Sequence, residues 1–126
     1  MPPLETDFQQ LQGSWRQIDH EADGIAGASD NYHRNDVITL INGDRFTVRS
    51  QSAGVLLHGR FEIDPTQAPK WITWFDAIGP DAGQALPAIY ELDGDYFRFV
   101  ATDSGQPRPV EFRTDAGQVM RCFVRA

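Results

Sequence analysis

Apolar and polar residues alternate along most of the chain in short segments. A period of two is typical of half-buried β-strands, because successive side chains of a strand point to opposite faces. In segment 45–50, for example, Phe46 and Val48 alternate with Thr47 and Arg49. The pattern predicts nine short strands, at residues 14–21, 37–41, 45–50, 55–63, 70–75, 88–92, 96–100, 110–113 and 118–124.

The N-terminal segment has a different period. Leu4, Phe8 and Leu11 recur at helical spacing, two prolines precede them and Gly13 follows. Prolines at the start and a glycine at the end are typical helix boundaries, so we predict one short helix over residues 4–11.

Turn signals separate the predicted strands at close spacing. Asn-Gly-Asp at 42–44 and Asp-Gly-Asp at 93–95 favour tight hairpins, because these residues tolerate positive φ. No β-α-β alternation and no internal repeat is present, so one antiparallel all-β domain over residues 1–126, a sandwich or a barrel, is expected.

Successive connections of an up-and-down sheet alternate between its two ends. The connections at 42–44, 64–69 and 93–95 then fall at one end. The longer ones, at 22–36, 52–54, 76–86 and 102–109, fall at the other. Because binding residues are often placed on loops that a rigid scaffold holds, we expect the loop-bearing end to carry the function.

Several motifs together resemble a known family. They are Leu-Gln-Gly-Ser-Trp at 11–15, Gly-Asp-Arg-Phe-Thr-Val at 43–48, Gly-Arg-Phe at 59–61, Ile-Tyr-Glu-Leu-Asp-Gly-Asp at 89–95, and Gly-Gln-Pro-Arg-Pro at 105–109 before Glu111 and Phe112. In this respect the chain resembles a family of small, largely uncharacterised bacterial lipocalin-like domains. The resemblance implies an antiparallel up-and-down lipocalin-like β-barrel of eight or nine strands with a short N-terminal helix, and it implies no activity.

The resemblance also implies a structural role for the first motif. In lipocalin-like folds a Gly-x-Trp sequence opens the first strand, here with Gly13 and Trp15, and the indole fills the closed end of the barrel. A late arginine often packs its guanidinium over that ring. Arg121 and Arg125 are the candidates here.

The charge of the chain narrows the possible partners. Eighteen acidic residues against eleven basic ones give a net charge of −7. Such a surface repels nucleic acids and anionic membranes but attracts a basic protein. With a single cysteine, Cys122, no export signal and no long apolar run, the cytoplasm is the expected location.

No constellation of residues favours catalysis or a cofactor. His20, His33 and His58 lack the spacing of metal ligands, and Cys122 in the last predicted strand is best interpreted as a small buried hydrophobe. We therefore expect a protein that is not an enzyme, with no catalytic residues, metal or cofactor.

The strand at 70–75 is unusual because aromatic residues occur on both faces. Trp71 and Phe75 share one face, while Ile72 and Trp74 share the other. Only one face can line a barrel, so the aromatic residues of the outer face are either covered by the N-terminal helix, which we favour, or exposed as a contact patch.

Two binding functions remain. In the first, the loop-bearing end docks on a basic protein, as an immunity protein that neutralises a bacterial toxin would. The predicted contact residues are Asp23, Asp30, Tyr32, His33, Asp36, Trp74, Asp76 and Asp81.

In the second, the barrel carries or senses a small apolar ligand. The fourteen aromatic residues argue against it, because they would fill a narrow barrel. An interior cavity above about 300 Å³ would favour the ligand hypothesis, whereas a filled interior would favour docking.

Overall fold

The computed structural model describes residues 3–27 and 36–126, with side chains from residue 6 onward. Within these ranges it contains one helix and nine strands. They are α1 (Pro3–Leu11), β1 (Gly13–Ala22), β2 (Ile25–Ala26), β3 (Val37–Asn42), β4 (Arg45–Ser50), β5 (Gly54–Asp64), β6 (Lys70–Asp76), β7 (Ala85–Asp93), β8 (Tyr96–Thr102) and β9 (Gln118–Arg125).

Eight of the strands form a closed antiparallel barrel. Each strand from β3 to β9 pairs with its neighbour in sequence, β1 pairs with β3, and β1 also pairs with β9, which closes the sheet. The short β2 adds to β1 as an extra strand. The prediction of an up-and-down barrel with one N-terminal helix is confirmed.

The tight end of the barrel is closed by packed and hydrogen-bonded side chains. Trp15 is fully buried there, and its indole Nε1 donates to the Leu11 carbonyl at 2.8 Å. The Arg125 guanidinium lies 4.1 Å from the centroid of the Trp15 ring, which selects Arg125 over Arg121 as the stacking residue. Arg125 also donates to the carbonyls of Gln10 and Gln12, at 2.7 and 2.8 Å, and these belong to the end of α1.

Helix α1 packs across this same end. Its Phe8 ring lies 6.3 Å from the Phe61 ring. The carboxylate of Asp7 accepts hydrogen bonds from the Tyr90 hydroxyl at 2.6 Å and from Lys70 Nζ at 2.9 Å. The expectation that the helix covers the outer aromatic residues is therefore wrong, because its apolar side chains close the barrel instead.

Arginines cover those outer aromatic rings. The guanidinium of Arg108 lies 4.5 Å from the centroid of the Trp71 ring. The corresponding distances are 4.0 Å from Arg60 to Phe75 and 4.2 Å from Arg98 to Phe112. A guanidinium over an aromatic face shields the ring from water and is attracted by its quadrupole.

The segment at 110–113 is not a strand, so that prediction is wrong. Once β1 has paired with β9 the barrel has no free edge for another strand, and Pro107 and Pro109 have no N–H to donate. The connection from β8 to β9 instead runs outside the barrel, where Arg108 donates to the carbonyls of Ile72 and Ala88 at 2.9 and 2.8 Å.

Candidate functional site

An apolar cavity of about 320 Å³ lies inside the barrel and opens at the loop-bearing end. Side chains from all eight barrel strands contribute to its wall. The lining residues are Trp15, Gln17, Val37, Thr39, Ile41, Phe46, Val48, Leu56, Leu57, Trp74, Asp76, Gly79, Pro80, Asp81, Leu86, Phe97, Phe99, Ala101, Thr102, Asp103, Gly117, Val119, Arg121 and Phe123.

Aromatic rings form much of the deeper wall. Trp74 stands at its centre, with ring centroids 4.9 Å from Phe99 and 5.1 Å from Phe46 in an edge-to-face contact. Phe97 stacks on Phe123 at 5.6 Å. Because these rings pack against one another, they hold the wall in place rather than collapsing into the space.

The expectation that aromatic residues leave little cavity is wrong, for a reason visible in their positions. Trp71, Phe75 and Phe112 lie outside the barrel under arginines. Phe8 and Phe61 pack together at the closed end. The aromatic residues are thus divided among three places, and only some of them line the cavity.

Two β-bulges shape the open half of the cavity. In β5, Val48 pairs with Leu57 while Arg49 pairs with Val55, so Leu56 is an extra residue and lines the cavity together with Leu57. In β1 the register shifts between Gln17 and Asp19, and the extra residue Ile18 is 46% exposed. An extra residue in a strand resets which side chains point inward.

The mouth of the cavity is polar and mostly acidic. Asp76, Asp81 and Asp103 line it together with one cation, Arg121. Arg121 Nη1 donates to Gln17 Oε1 at 3.0 Å. Burial raises the pKa of Asp76, the neighbouring Asp81 raises it further, and Arg121 opposes both effects. The mouth therefore contains a partly desolvated carboxylate beside a second one.

One polar atom of the cavity wall has no partner in the described part of the chain. The Trp74 side chain lines the cavity, the residue is only 7% exposed, and its indole Nε1 is buried without a hydrogen bond. A buried N–H without an acceptor costs about 1–3 kcal/mol, which a ligand or water acceptor would recover.

The predicted contact residues separate into three groups. Asp76 and Asp81 lie together at the cavity mouth, and Trp74 faces the interior below them, so Trp74 is not part of an outer docking surface. Asp30, Tyr32 and His33 lie outside the described residues.

Asp23 and Asp36 form the third group, and both stabilise local structure. Asp23 Oδ1 accepts from the Gly117 N–H at 2.8 Å, and Asp36 Oδ2 accepts from the Ser52 hydroxyl at 2.7 Å. Hydrogen bonds of this kind hold turns together and leave less of each carboxylate for a partner.

Sequence reasoning missed Gln17, Phe99 and Arg121 as site residues. Phe99 and Arg121 do follow the inward alternation of their strands, so periodicity could have found them. Nothing in the local sequence marks the bulge after Gln17, because the shift depends on pairing with β9.

The site offers little for catalysis. Within residues 3–27 and 36–126, no three His, Cys, Asp or Glu side chains come together as a metal site would need. The thiol of Cys122 is buried, and burial raises its pKa, which disfavours the nucleophilic thiolate. His58 is exposed on the outer face of β5.

None of the described helices has the length and apolar character needed to cross a membrane. Comparisons with known proteins found no matching family model, no similar curated protein and no similar solved structure.

Proposed function

We propose that this protein binds a small, largely apolar ligand inside the barrel, as a carrier or a sensor. The observation that carries the proposal is the cavity of about 320 Å³ inside the barrel. Its size is at the lower end of the roughly 300–1,000 Å³ typical of small-molecule sites.

The arrangement of the walls supports this function. The deeper part is formed by Phe and Trp rings and aliphatic side chains, while charged groups are confined to the mouth. An apolar wall with a few convergent polar groups is the usual composition of a ligand pocket, in which the polar groups set the orientation. The free N–H of Trp74 adds one donor within the wall.

Docking on a basic protein stays a prediction without added support. Of the eight candidate residues for docking, Trp74 faces the interior, and the carboxylates of Asp23 and Asp36 accept hydrogen bonds that stabilise turns. The net charge of −7 is as compatible with a soluble carrier as with a docking protein.

The cytoplasm is the location that we propose for this binding. Cys122, the only cysteine of the sequence, is a buried free thiol. A fold that needs no disulfide suits a reducing compartment.

The proposal is tested with a neutral apolar fluorophore, N-phenyl-1-naphthylamine, whose emission rises in an apolar site. We expect saturable binding with one site per chain. Ala101→Phe places a ring in the cavity and should weaken binding at least about 10-fold, because the volume is lost.

Ala53→Phe is the matched control, since Ala53 is exposed in the turn between β4 and β5 and should bind as the wild type does. Absence of saturable binding, or equal binding by a folded Ala101→Phe variant, would contradict the proposal.

A further inference from the structure

The carboxylates of Asp76 and Asp81 at the cavity mouth differ in hydrogen bonding from two other carboxylates of the described residues, Asp7 and Asp64. Asp7 accepts two hydrogen bonds at the closed end, and Asp64 accepts from Thr66 and Gln67 in its turn. For Asp76 and Asp81, no hydrogen bond to the side chain is found among the described residues. Within residues 3–27 and 36–126, two carboxylates without a hydrogen-bond partner therefore adjoin an apolar cavity.

Arg121 does not neutralise this group of charges. Among the lining residues that the structure describes, Arg121 is the one cation, against the three carboxylates of Asp76, Asp81 and Asp103. Its guanidinium is already bonded to Gln17 and takes part in further contacts. The described residues of the mouth therefore carry an excess of negative charge.

On the basis of the proposed function, we propose that the ligand is an apolar amine. Its protonated nitrogen binds between Asp76 and Asp81, and its hydrocarbon or aromatic body fills the cavity. A cation there would relieve the repulsion between the two carboxylates and form charge-assisted hydrogen bonds. The same nitrogen would lie above the aromatic wall that Trp74 and Phe99 form, where the ring quadrupoles also favour positive charge.

Burial supports the same ligand chemistry. Asp76 is partly desolvated, and its pKa is raised by burial and by Asp81. Desolvation strengthens the attraction between a carboxylate and an ammonium group relative to the same pair in water. An anionic ligand would face the three carboxylates of Asp76, Asp81 and Asp103 as well as Arg121 among the described lining residues, so it is disfavoured at this mouth.

The test compares three ligands that share one body and differ in charge: 2-(1-naphthyl)ethylamine, 2-(1-naphthyl)ethanol and 1-naphthaleneacetate. Each competes with N-phenyl-1-naphthylamine at about pH 7 and low ionic strength. We expect the amine to bind about 10-fold more tightly than the alcohol and the carboxylate to bind most weakly. Added salt should reduce the advantage of the amine and leave the alcohol unchanged.

Variants then identify the groups responsible. In Asp76→Asn the amine should lose most of its advantage while the affinity for the alcohol stays constant, and Asp81→Asn should show a smaller loss. Asp44→Asn is the matched control, because Asp44 lies at the opposite end in an exposed pair with Arg45, and it should keep the full preference.

The possible failures are distinguishable. Equal binding of amine and alcohol, tightest binding of the carboxylate, or an unchanged preference in both Asp76→Asn and Asp81→Asn would overturn the amine proposal and leave ligand binding standing. No binding of the neutral fluorophore or of any of the three ligands would overturn the proposed function itself.

Discussion

The two ends of the barrel differ in how completely their polar groups are paired. At the closed end, Trp15 donates to a carbonyl, Arg125 reaches the last turn of α1, and Asp7 accepts from Tyr90 and Lys70. At the open end, the side-chain carboxylates of Asp76 and Asp81 have no hydrogen-bond partner among the described residues, and neither does the indole N–H of Trp74.

If the proposed function is right, this difference assigns stability to one end of the barrel and binding to the other. Paired polar groups in a filled volume stabilise the fold, whereas unpaired groups beside an empty volume cost stability and are retained where a ligand supplies the missing contacts. Substitutions at the closed end should therefore lower the free energy of unfolding. Substitutions at the mouth should change binding and leave stability nearly constant or slightly higher.

The largest effect is expected for Trp15→Ala. Trp15 is fully buried, and its removal leaves a large void, so we expect a loss of about 3–5 kcal/mol in the free energy of unfolding. Urea denaturation followed by circular dichroism measures this. Trp71→Ala is the control, because Trp71 is 39% exposed on the outer face and should lose less than about 2 kcal/mol. Equal losses in the two variants would show that Trp15 does not fill the closed end.

Arg125→Met should have the next largest effect. Arg125 combines stacking on Trp15 with hydrogen bonds to Gln10 and Gln12, so its loss leaves two carbonyls of the helix end without donors. We expect a loss of about 2–3 kcal/mol in the free energy of unfolding. The control Arg45→Met breaks a pair that is exposed on both sides and should change stability by less than about 0.5 kcal/mol. A similar change in the free energy of unfolding of both variants would show that Arg125 does not stabilise the closed end.

Tyr90→Phe tests the anchoring of the helix more gently. It removes the hydroxyl that donates to Asp7 at 2.6 Å while keeping the ring, and Asp7 keeps Lys70 as a partner. We expect a loss of about 1–2 kcal/mol. Tyr96→Phe is the control, since the group near its hydroxyl is the thiol of Cys122, which is at most a weak partner, and it should lose less. If Tyr96→Phe lowered the melting temperature more than Tyr90→Phe, the anchoring role of Asp7 would be contradicted.

Much of the closed end could be predicted from the sequence. The resemblance carried by Gly13-x-Trp15 implied the filled end, helical spacing predicted α1 but not its position, and a period of two placed eight strands correctly. These features are local, because strand alternation and tight turns depend on neighbouring residues. The segment at 110–113 also alternates, but closure of the barrel decided its structure, and closure is not a local property.

The cavity could not be predicted, because it depends on where each aromatic side chain finally packs. The count of fourteen aromatic residues indicated a full interior, and yet arginines hold Trp71, Phe75 and Phe112 outside. Composition sets the number of aromatic side chains, whereas strand register and side-chain stacking decide whether each one lies inside or outside the barrel. Asp76 and Asp81 were predicted as contact residues, but their position beside a cavity came from the structure.

The smallest effect, and the one with the opposite sign, is expected for Asp76→Asn. The folded-state pKa of Asp76 is raised, chiefly by burial and then by Asp81, so the wild type binds this proton more tightly when folded than when unfolded. That contribution to stability is present below the unfolded pKa and is lost as the pH rises through the folded pKa. At about pH 7 the wild type therefore carries a desolvated charge that asparagine lacks, and the variant should melt about 1–3 °C higher. The gain should disappear at about pH 3, where Asp76 is protonated.

Asp95→Asn is the control at the closed end, where it removes the carboxylate that accepts from Arg125 and should bring no gain. A variant at position 76 that melts below the wild type at neutral pH would show that Asp76 stabilises the fold, and the contrast between the two ends would then fail at the residue that defines it.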